Sequence, residues 1–270
     1  MELHRFFEGI RMMPEAVRQV GRLHIEERTY QRIKALFQRD KKKFYTTVLR
    51  QPDFRICFLY YFSRMGCETY ERYQEDGIGE RIYWDTFYDL TLWCENCFRE
   101  YGAYGTDQYD WFFRHIECRL FRLGRLEFER MESEWALKYG RTEIKKGDTV
   151  INVHIPQGER LELAAVRASC EQAFSFWGKQ YPYICHSWLL YPELSRVLGK
   201  ESNILGFQKL FRIVQVDFAE REAEWRIYGK IQDDLELYQE ATSLQKKAKE
   251  YLRDGGALGN GLGILDFSAG

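Results

Sequence analysis

Residues 147–190 constrain the fold of this chain more than any other stretch. Two short apolar runs, Val150–Ile155 and Tyr183–Leu190, flank one amphipathic segment, Leu161–Trp177. This pattern predicts a strand, a helix and a second strand, and the connection is too long for a hairpin, so we expect parallel strands. Polar groups along the C-terminal halves of parallel strands commonly bind ligands. We therefore expect any chemistry of this protein to lie in this stretch.

The composition of the 270 residues predicts a globular protein of one large or two modest domains. A net charge of −1 leaves no basic excess that would attract nucleic acid or acidic lipid. No run approaches about 20 apolar residues, so we expect no membrane partner, and the N-terminus does not resemble a signal peptide. The odd count of seven cysteines favours reduced thiols and a cytoplasmic location. The oligomeric state is left open.

The order of patterns along the chain predicts an α+β protein. Up to residue 117 the apolar positions recur at helical spacing, most clearly along Phe87–Tyr101. The string FRLGRLEFE instead alternates around Gly124, as strands do. We predict an all-helical N-terminal domain over residues 1–117, followed by a mixed α/β domain over residues 118–270.

Four local features carry definite expectations. Asp85 is expected to cap the helix that follows it, and Asp107–His115 is expected to be helical. The string GALGNGLG is expected to be a flexible loop before a last short strand, Ile264–Phe267. Glu127 and Glu129 share one face of their strand, and we expect that face to be solvated.

His154 is the strongest candidate for chemistry. In a strand, Asn152 and His154 share one face, and the apolar residues between them share the other. Two polar side chains together on a buried strand need hydrogen-bond partners. We interpret His154 as a base or a substrate hydrogen-bonder in a polar pocket wall. A structural histidine bonded to a neighbouring loop is the alternative.

His186 is the second candidate, although the string Cys185-His186-Ser187 is not a catalytic unit. Cys185 and Ser187 point one way and His186 the other, so the imidazole cannot easily activate either neighbour. His186 and Ser187 are expected to reach different sides of a pocket. No metal site is expected, because the five histidines are scattered and no H-E-x-x-H motif occurs.

Six strings in chain order resemble a group of bacterial acyltransferase-domain proteins, which pair a helical N-terminal domain with a C-terminal domain similar to the GNAT superfamily. The strings are GIGERIYWDTFYDLTLWC, LFRLGRLEFE, INVHIP, CHSWLL, SNILGFQKLF and TSLQKKAKEYL. The resemblance covers nearly the whole chain. It implies that INVHIP is the central strand, that CHSWLL splays from it, and that acyl-CoA lies in the cleft between them.

The resemblance implies transfer of an acyl group from acetyl-CoA, a longer acyl-CoA or another thioester to an amine or hydroxyl of a small-molecule acceptor. His154 or His186 would take the proton of the nucleophile. Backbone of the central strand would hold the pantetheine, and N–H groups before the following helix would hold the pyrophosphate. The residues implied in cofactor binding are Asn152, Ile155, Gly158, Arg160, Ser187 and Asn203.

Two departures from the resembled family keep a second hypothesis open. The usual pyrophosphate signature, Gln/Arg-x-x-Gly-x-Gly/Ala, is replaced by Pro156–Arg160, which holds one glycine. Phe207 stands where a tyrosine often serves as general acid. The second hypothesis is therefore a non-catalytic ligand- or partner-binding protein on a degenerate GNAT-like scaffold.

Overall fold

The structure is a computed structural model that describes residues 1–140 and 142–266, with only the backbone of Thr142. The chain forms two compact units. The first holds Met1–Leu123 together with Pro156–Gly158, and the second holds Gly124–Ile155 and the chain from Glu159 onward.

The first unit is built from helices. They are α1 (Leu3–Gly9), α2 (Pro14–Gly21), α3 (Glu27–Arg39), α4 (Lys41–Leu49), α5 (Phe54–Glu75), α6 (Glu80–Phe87), α7 (Asp89–Tyr101) and α8 (Phe113–Ile116), followed by strand β1 (Leu120–Leu123). The longest, α5, buries residues on all sides, and its Phe58 and Phe62 stack with ring centroids 5.8 Å apart. A helix that is buried on all sides lies at the centre of its unit. The predicted helical first part of the chain is therefore confirmed.

Two local expectations in this unit are wrong. Asp85 lies inside α6, so it cannot cap the next helix. The segment Asp107–His115 is mostly turn, and its helix begins only at Phe113. The Thr106 hydroxyl accepts the Gln108 N–H at 3.1 Å, so the local polar group stabilises a turn where we expected the first helical turn.

The second unit combines strands with helices. The strands are β2 (Leu126–Glu132), β3 (Leu137–Tyr139), β4 (Thr142–Ile144), β5 (Thr149–His154), β6 (Tyr183–Ser187), β7 (Phe211–Asp217) and β8 (Asn260–Leu265). The helices are α9 (Leu163–Trp177), α10 (Asn203–Gln208), α11 (Glu222–Tyr228) and α12 (Ser243–Arg253). The sheet order within the unit is β2-β5-β6-β8-β7, and β3 and β4 form a separate hairpin. The neighbours β5 and β6 are parallel, as expected, and the other pairs are antiparallel.

The two faces of this sheet are covered differently. On one face the Tyr183 hydroxyl donates to the Ala173 carbonyl of α9 at 3.0 Å, and the ring of Phe174 lies edge-on to it at 5.1 Å. On the other face the apolar residues pack with the β3–β4 hairpin; this cluster is Leu137, Ile144, Val150, Ile184, Leu262 and Ile264. We call the second face the hairpin face.

The second half of the glycine-rich segment near the C-terminus is a strand, so the expected flexible loop is wrong there. β8 already begins at Asn260. A β-carbon at Gly261 would lie 2.2 Å from the Leu190 carbonyl oxygen, which explains why glycine occupies the strand. Phe267, the expected end of the last strand, lies outside the described residues. Within residues 1–140 and 142–266, each helix is too short or too polar to cross a membrane.

Candidate active site

The sheet splits between β5 and β6. Ile151 pairs with Tyr183 and Asn152 with Ile184, and the pairing stops there although both strands continue. Beyond that point β6 pairs with β8 on its other side. The C-terminal halves of the two parallel strands are therefore not paired with each other, and we call the place between them the gap.

Backbone polar groups of β5 point into this gap. The Ile151 N–H donates to the Pro182 carbonyl at 2.9 Å, which shows that the backbone of Ile151 faces β6. Every second residue of a strand faces the same neighbour, so the Val153 carbonyl and the Ile155 N–H face the same side. An extended ligand in the gap can pair with these groups as an added strand would.

A row of polar side chains crosses the hairpin face at the same edge of the sheet. Strand register and alternation place them together. The row consists of Glu127 and Glu129 on β2, Asn152 and His154 on β5, His186 on β6, Asn260 on β8 and Asp217 on β7. His154 and His186 each lie two residues beyond the last paired position, so they flank the gap on the same face.

Glu127 and Glu129 are buried, so the expected solvated face is wrong. Their exposed fractions are 1% and 2%. The physical reason is that β2 is the antiparallel neighbour of β5, which puts both carboxylates on the same face as His154. Glu129 Oε2 lies 3.1 Å from His154 Nε2.

The contact with Glu129 fixes the roles of the His154 ring nitrogens. An ionised carboxylate only accepts hydrogen bonds, so Nε2 is the donor of this contact and Nδ1 is the ring nitrogen that can accept a proton. The Asn152 amide also lies 3.3 Å from Nε2. The atom at that distance is the amide nitrogen Nδ2, and the amide oxygen Oδ1 has no hydrogen-bond partner among the described residues. His154 is thus oriented by a carboxylate and by its strand neighbour.

His186 forms a second histidine–carboxylate pair on the other side of the gap. Its Nε2 donates to Asp217 Oδ2 at 2.7 Å. The ring of Trp135 lies 5.5 Å from the imidazole. This pair is more exposed to solvent than the first, with 29% of the His186 side chain and 27% of the Asp217 side chain exposed.

The neighbours of His186 do not form a nucleophile. Burial raises the pKa of the Cys185 thiol far above its usual range, so the thiolate is disfavoured. The Ser187 hydroxyl accepts the Leu189 N–H at 3.2 Å and caps a 3-10 turn, Trp188–Leu190. That turn also corrects the predicted strand, which ends at Ser187.

The other implied binding residues lie at exposed backbone. Gly158 is exposed with φ of 101°, a value that favours glycine, and the Arg160 side chain is exposed. Asn203 is the first residue of α10, after the Ser202 cap. Phe207, by contrast, is fully buried against Phe211 at 5.0 Å, so that position offers no proton donor.

Arg125 binds the loop that precedes α9, a contact that sequence reasoning missed. It is 6% exposed, and its Nε donates to the Arg160 carbonyl at 3.1 Å while Nη2 donates to the Glu159 carbonyl at 2.7 Å. Its only sequence signal is its place directly after Gly124, which has φ of 73° at a turn.

Comparison with known families decides the relationship of the chain. Residues 120–265 match the GNAT-like C-terminal domain, more than half of the chain. The chain belongs to the GNAT-like C-terminal domain family. Residues 1–118 match the N-acyltransferase N-terminal domain. The predicted class, an acyltransferase with a helical N-terminal domain and a GNAT-like C-terminal domain, is therefore confirmed.

Solved structures confirm the fold over nearly the full length of this chain. An acyltransferase in complex with decanoyl-CoA has a TM-score of 0.78 and 17% identity, covering 97% of this chain and 86% of that one. An acyltransferase in complex with decanoyl-CoA and teicoplanin has a TM-score of 0.76 and 19% identity, covering 98% and 87%. An acyltransferase in complex with CoA and 10C-Teicoplanin has a TM-score of 0.75 and 20% identity, covering 98% and 87%. No curated protein matches the chain significantly.

Proposed function

We propose that this GNAT-like protein transfers an acyl group from acyl-CoA to an amine or hydroxyl of a small-molecule acceptor, with His154 as general base. The observation that carries the proposal is the gap between β5 and β6, flanked by a histidine that a buried carboxylate orients. Acyltransferases of the same fold bind decanoyl-CoA, and one of those complexes also holds teicoplanin, which supports the donor and the kind of acceptor.

The donor would occupy the gap in an extended conformation. Its pantetheine amides would pair with the Val153 carbonyl and the Ile155 N–H, which lack a ladder partner in β6 at this point. A backbone N–H near the thioester would polarise the carbonyl and stabilise the oxyanion of the tetrahedral intermediate. The side chains of Asn152, Ser187 and Asn203 stay predicted contacts of the carrier.

The chemical step needs a proton acceptor next to the nucleophile. The acceptor nitrogen or oxygen attacks the carbonyl carbon of the thioester, His154 Nδ1 takes the proton, and the C–S bond breaks to release CoA thiolate. The imidazolium that forms would face the Glu129 carboxylate across 3.1 Å. A charge pair in a buried site is stabilised more than one in water, so Glu129 would favour the transition state.

We prefer His154 over His186 as the general base because the carboxylate partner of His154 is less exposed to solvent. Glu129 is 2% exposed, whereas 27% of the Asp217 side chain is exposed. Solvent screens exposed pairs, which contribute about 0–1 kcal/mol. We assign His186 to the same face as a second proton acceptor or an acceptor hydrogen-bonder, with a smaller share of the rate.

The reducing cytoplasm is the proposed location. The seven cysteines are free thiols, and six of them are buried. Desolvation raises the pKa of the Cys170 thiol to about 12, typical of an inert core thiol.

The test is binding and turnover with defined donors. We expect calorimetry to show binding of acetyl-CoA or decanoyl-CoA, and chromatography to show CoA release when hydroxylamine or benzylamine is the acceptor. The His154→Gln variant should lose about 10²- to 10⁴-fold in rate, and His186→Gln should lose much less. Imidazole in solution should restore part of the activity of His154→Gly. A folded protein that binds neither thioester would overturn the proposal, and binding without turnover would favour the non-catalytic alternative.

A further inference from the structure

Arg125 lies behind the loop that precedes α9, the segment that the family resemblance assigns to the pyrophosphate of CoA. The guanidinium contacts two consecutive carbonyls, those of Glu159 and Arg160, at 2.7 and 3.1 Å. Both bonds come from one buried side chain with a fixed fork of donors. The two carbonyls are therefore held on the same side of the loop.

The planarity of the peptide bond sets the direction of the next two N–H groups. In a trans peptide the N–H of the following residue points opposite to the carbonyl, and the structure contains no cis peptide among the described residues. The N–H groups of Arg160 and Leu161 therefore point away from Arg125. Neither has a hydrogen-bond partner among the described residues. Two adjacent, parallel-directed N–H groups before a helix of 15 residues are suited to a phosphate oxygen.

The turn that carries Arg125 is itself fixed to α9. The N–H groups of Arg125 and Leu126 both point to the Ser169 hydroxyl, at 2.7 and 3.3 Å. A β-carbon at Gly124 would lie 2.9 Å from the same oxygen, so the turn packs directly on the helix. Loop and helix are thus joined through one rigid turn, and the position of the guanidinium relative to the helix start is defined.

We propose that Arg125 is a positioning residue for the CoA pyrophosphate, which orients the loop by its carbonyls and so replaces the second glycine of the usual signature. The proposal rests on the proposed function. Glycines in that signature let the backbone approach phosphate and present its N–H groups. In this chain a side chain bound to the rear of the loop gives the same orientation. The positive charge of Arg125 also offsets the exposed Glu159 carboxylate on the same segment.

The experiment compares donors with and without the pyrophosphate. Decanoyl-CoA and S-decanoyl-pantetheine share the thioester and the pantetheine, but only decanoyl-CoA carries phosphate groups for the loop. We expect Arg125→Met to raise the KM and Kd for decanoyl-CoA about 10- to 100-fold. Without the guanidinium, the Arg160 and Leu161 N–H groups would no longer be directed at the phosphate, and two charge-assisted hydrogen bonds would be weakened. The rate with S-decanoyl-pantetheine should change less than about threefold, because that donor ends before the loop.

Three further variants separate positioning from charge and from folding. Arg125→Lys keeps a charge and one donor, and should restore part of the selectivity for decanoyl-CoA. Arg160→Gln removes an exposed charge beside the same loop and measures direct attraction. Arg253→Gln removes a surface arginine of α12 that pairs with Glu236. This control should leave the KM and the rate with both donors within about twofold of the wild-type values. Circular dichroism and thermal unfolding check that each variant is folded.

The outcomes distinguish this inference from the proposed function. If the wild-type protein uses both donors and Arg125→Met loses both equally, Arg125 is merely structural and the inference is overturned. Unchanged use of decanoyl-CoA by folded Arg125→Met would also overturn it. If the wild-type protein binds and turns over neither donor, the proposed function itself fails.

Discussion

Replacing Glu129 by glutamine tests how much the buried carboxylate contributes to catalysis. The change keeps the size of the side chain and removes the charge that faces His154 across 3.1 Å. At that distance two unit charges at an effective dielectric constant of about 20 attract by about 5 kcal/mol. Desolvation of the carboxylate and access of water to the ring, which is 20% exposed, offset part of this gain. A net loss of about 2–3 kcal/mol corresponds to a fall in kcat of about 30- to 150-fold.

The assay is the rate of CoA release from decanoyl-CoA with benzylamine at saturating donor. We expect Glu129→Gln to lower kcat while the Kd for decanoyl-CoA changes less than about twofold, because the carboxylate is buried and contacts the imidazole. The matched control is Asp217→Asn, which removes the partner of His186 from a half-exposed pair. Its kcat should fall less than about fivefold, since exposed pairs contribute about 0–1 kcal/mol. Equal losses in both variants, or an unchanged kcat in Glu129→Gln, would refute the assignment of His154 and Glu129 as the proton acceptor.

Three predictions concern stability. Burial favours the neutral form of Glu224, but hydrogen bonds from Arg221 at 2.6 and 2.7 Å outweigh it and lower the pKa of the carboxyl below its ordinary 4.5. The ion pair therefore stabilises the fold above about pH 4.5 and loses this effect as the pH falls through the lowered pKa, so urea unfolding should show Glu224→Gln destabilised by about 1–3 kcal/mol at pH 7 and much less at pH 3. Gly261→Ala should cost about 1–3 kcal/mol because its β-carbon meets a carbonyl, whereas Gly199→Ala, in open space, should stay within about 0.5 kcal/mol. Thr242→Ala removes a helix cap bonded at 3.1 Å and should cost about 1 kcal/mol by thermal unfolding; no change would contradict that role.

The central strand–helix–strand unit could be predicted because its signals are local. Two apolar runs of strand length and the helical spacing between them fix the element types, and the length of the connection fixes the parallel pairing. The alternation of side chains also predicts that Asn152 and His154 share a face, and the structure places them 3.3 Å apart. The wrong signals were local as well. Asp107 has the residue type of a helix start, but the same segment forms a turn in which the Thr106 hydroxyl accepts the Gln108 N–H.

The partners of the site could not be predicted, because they depend on which strands are neighbours. The strand pattern alone predicts that Glu129 is solvated. The pairing of β2 with β5 instead makes it the buried partner of His154. Arg125 contacts carbonyls 34 and 35 positions away in the chain, and no spacing rule connects them. The start of β8 could not be predicted either, because it also depends on a neighbouring segment of the chain. Glycines usually weaken a strand, but Gly261 is required by the close approach of another backbone.

The most direct test of the central claim is a crystal structure of the protein with decanoyl-CoA. We predict that the pantetheine lies between β5 and β6, with an amide paired to the Ile155 N–H at about 2.9 Å and the thioester carbonyl on the hairpin face beside His154. The pyrophosphate should contact the Arg160 and Leu161 N–H groups. A cofactor bound elsewhere, or a thioester out of reach of both His154 and His186, would contradict the account.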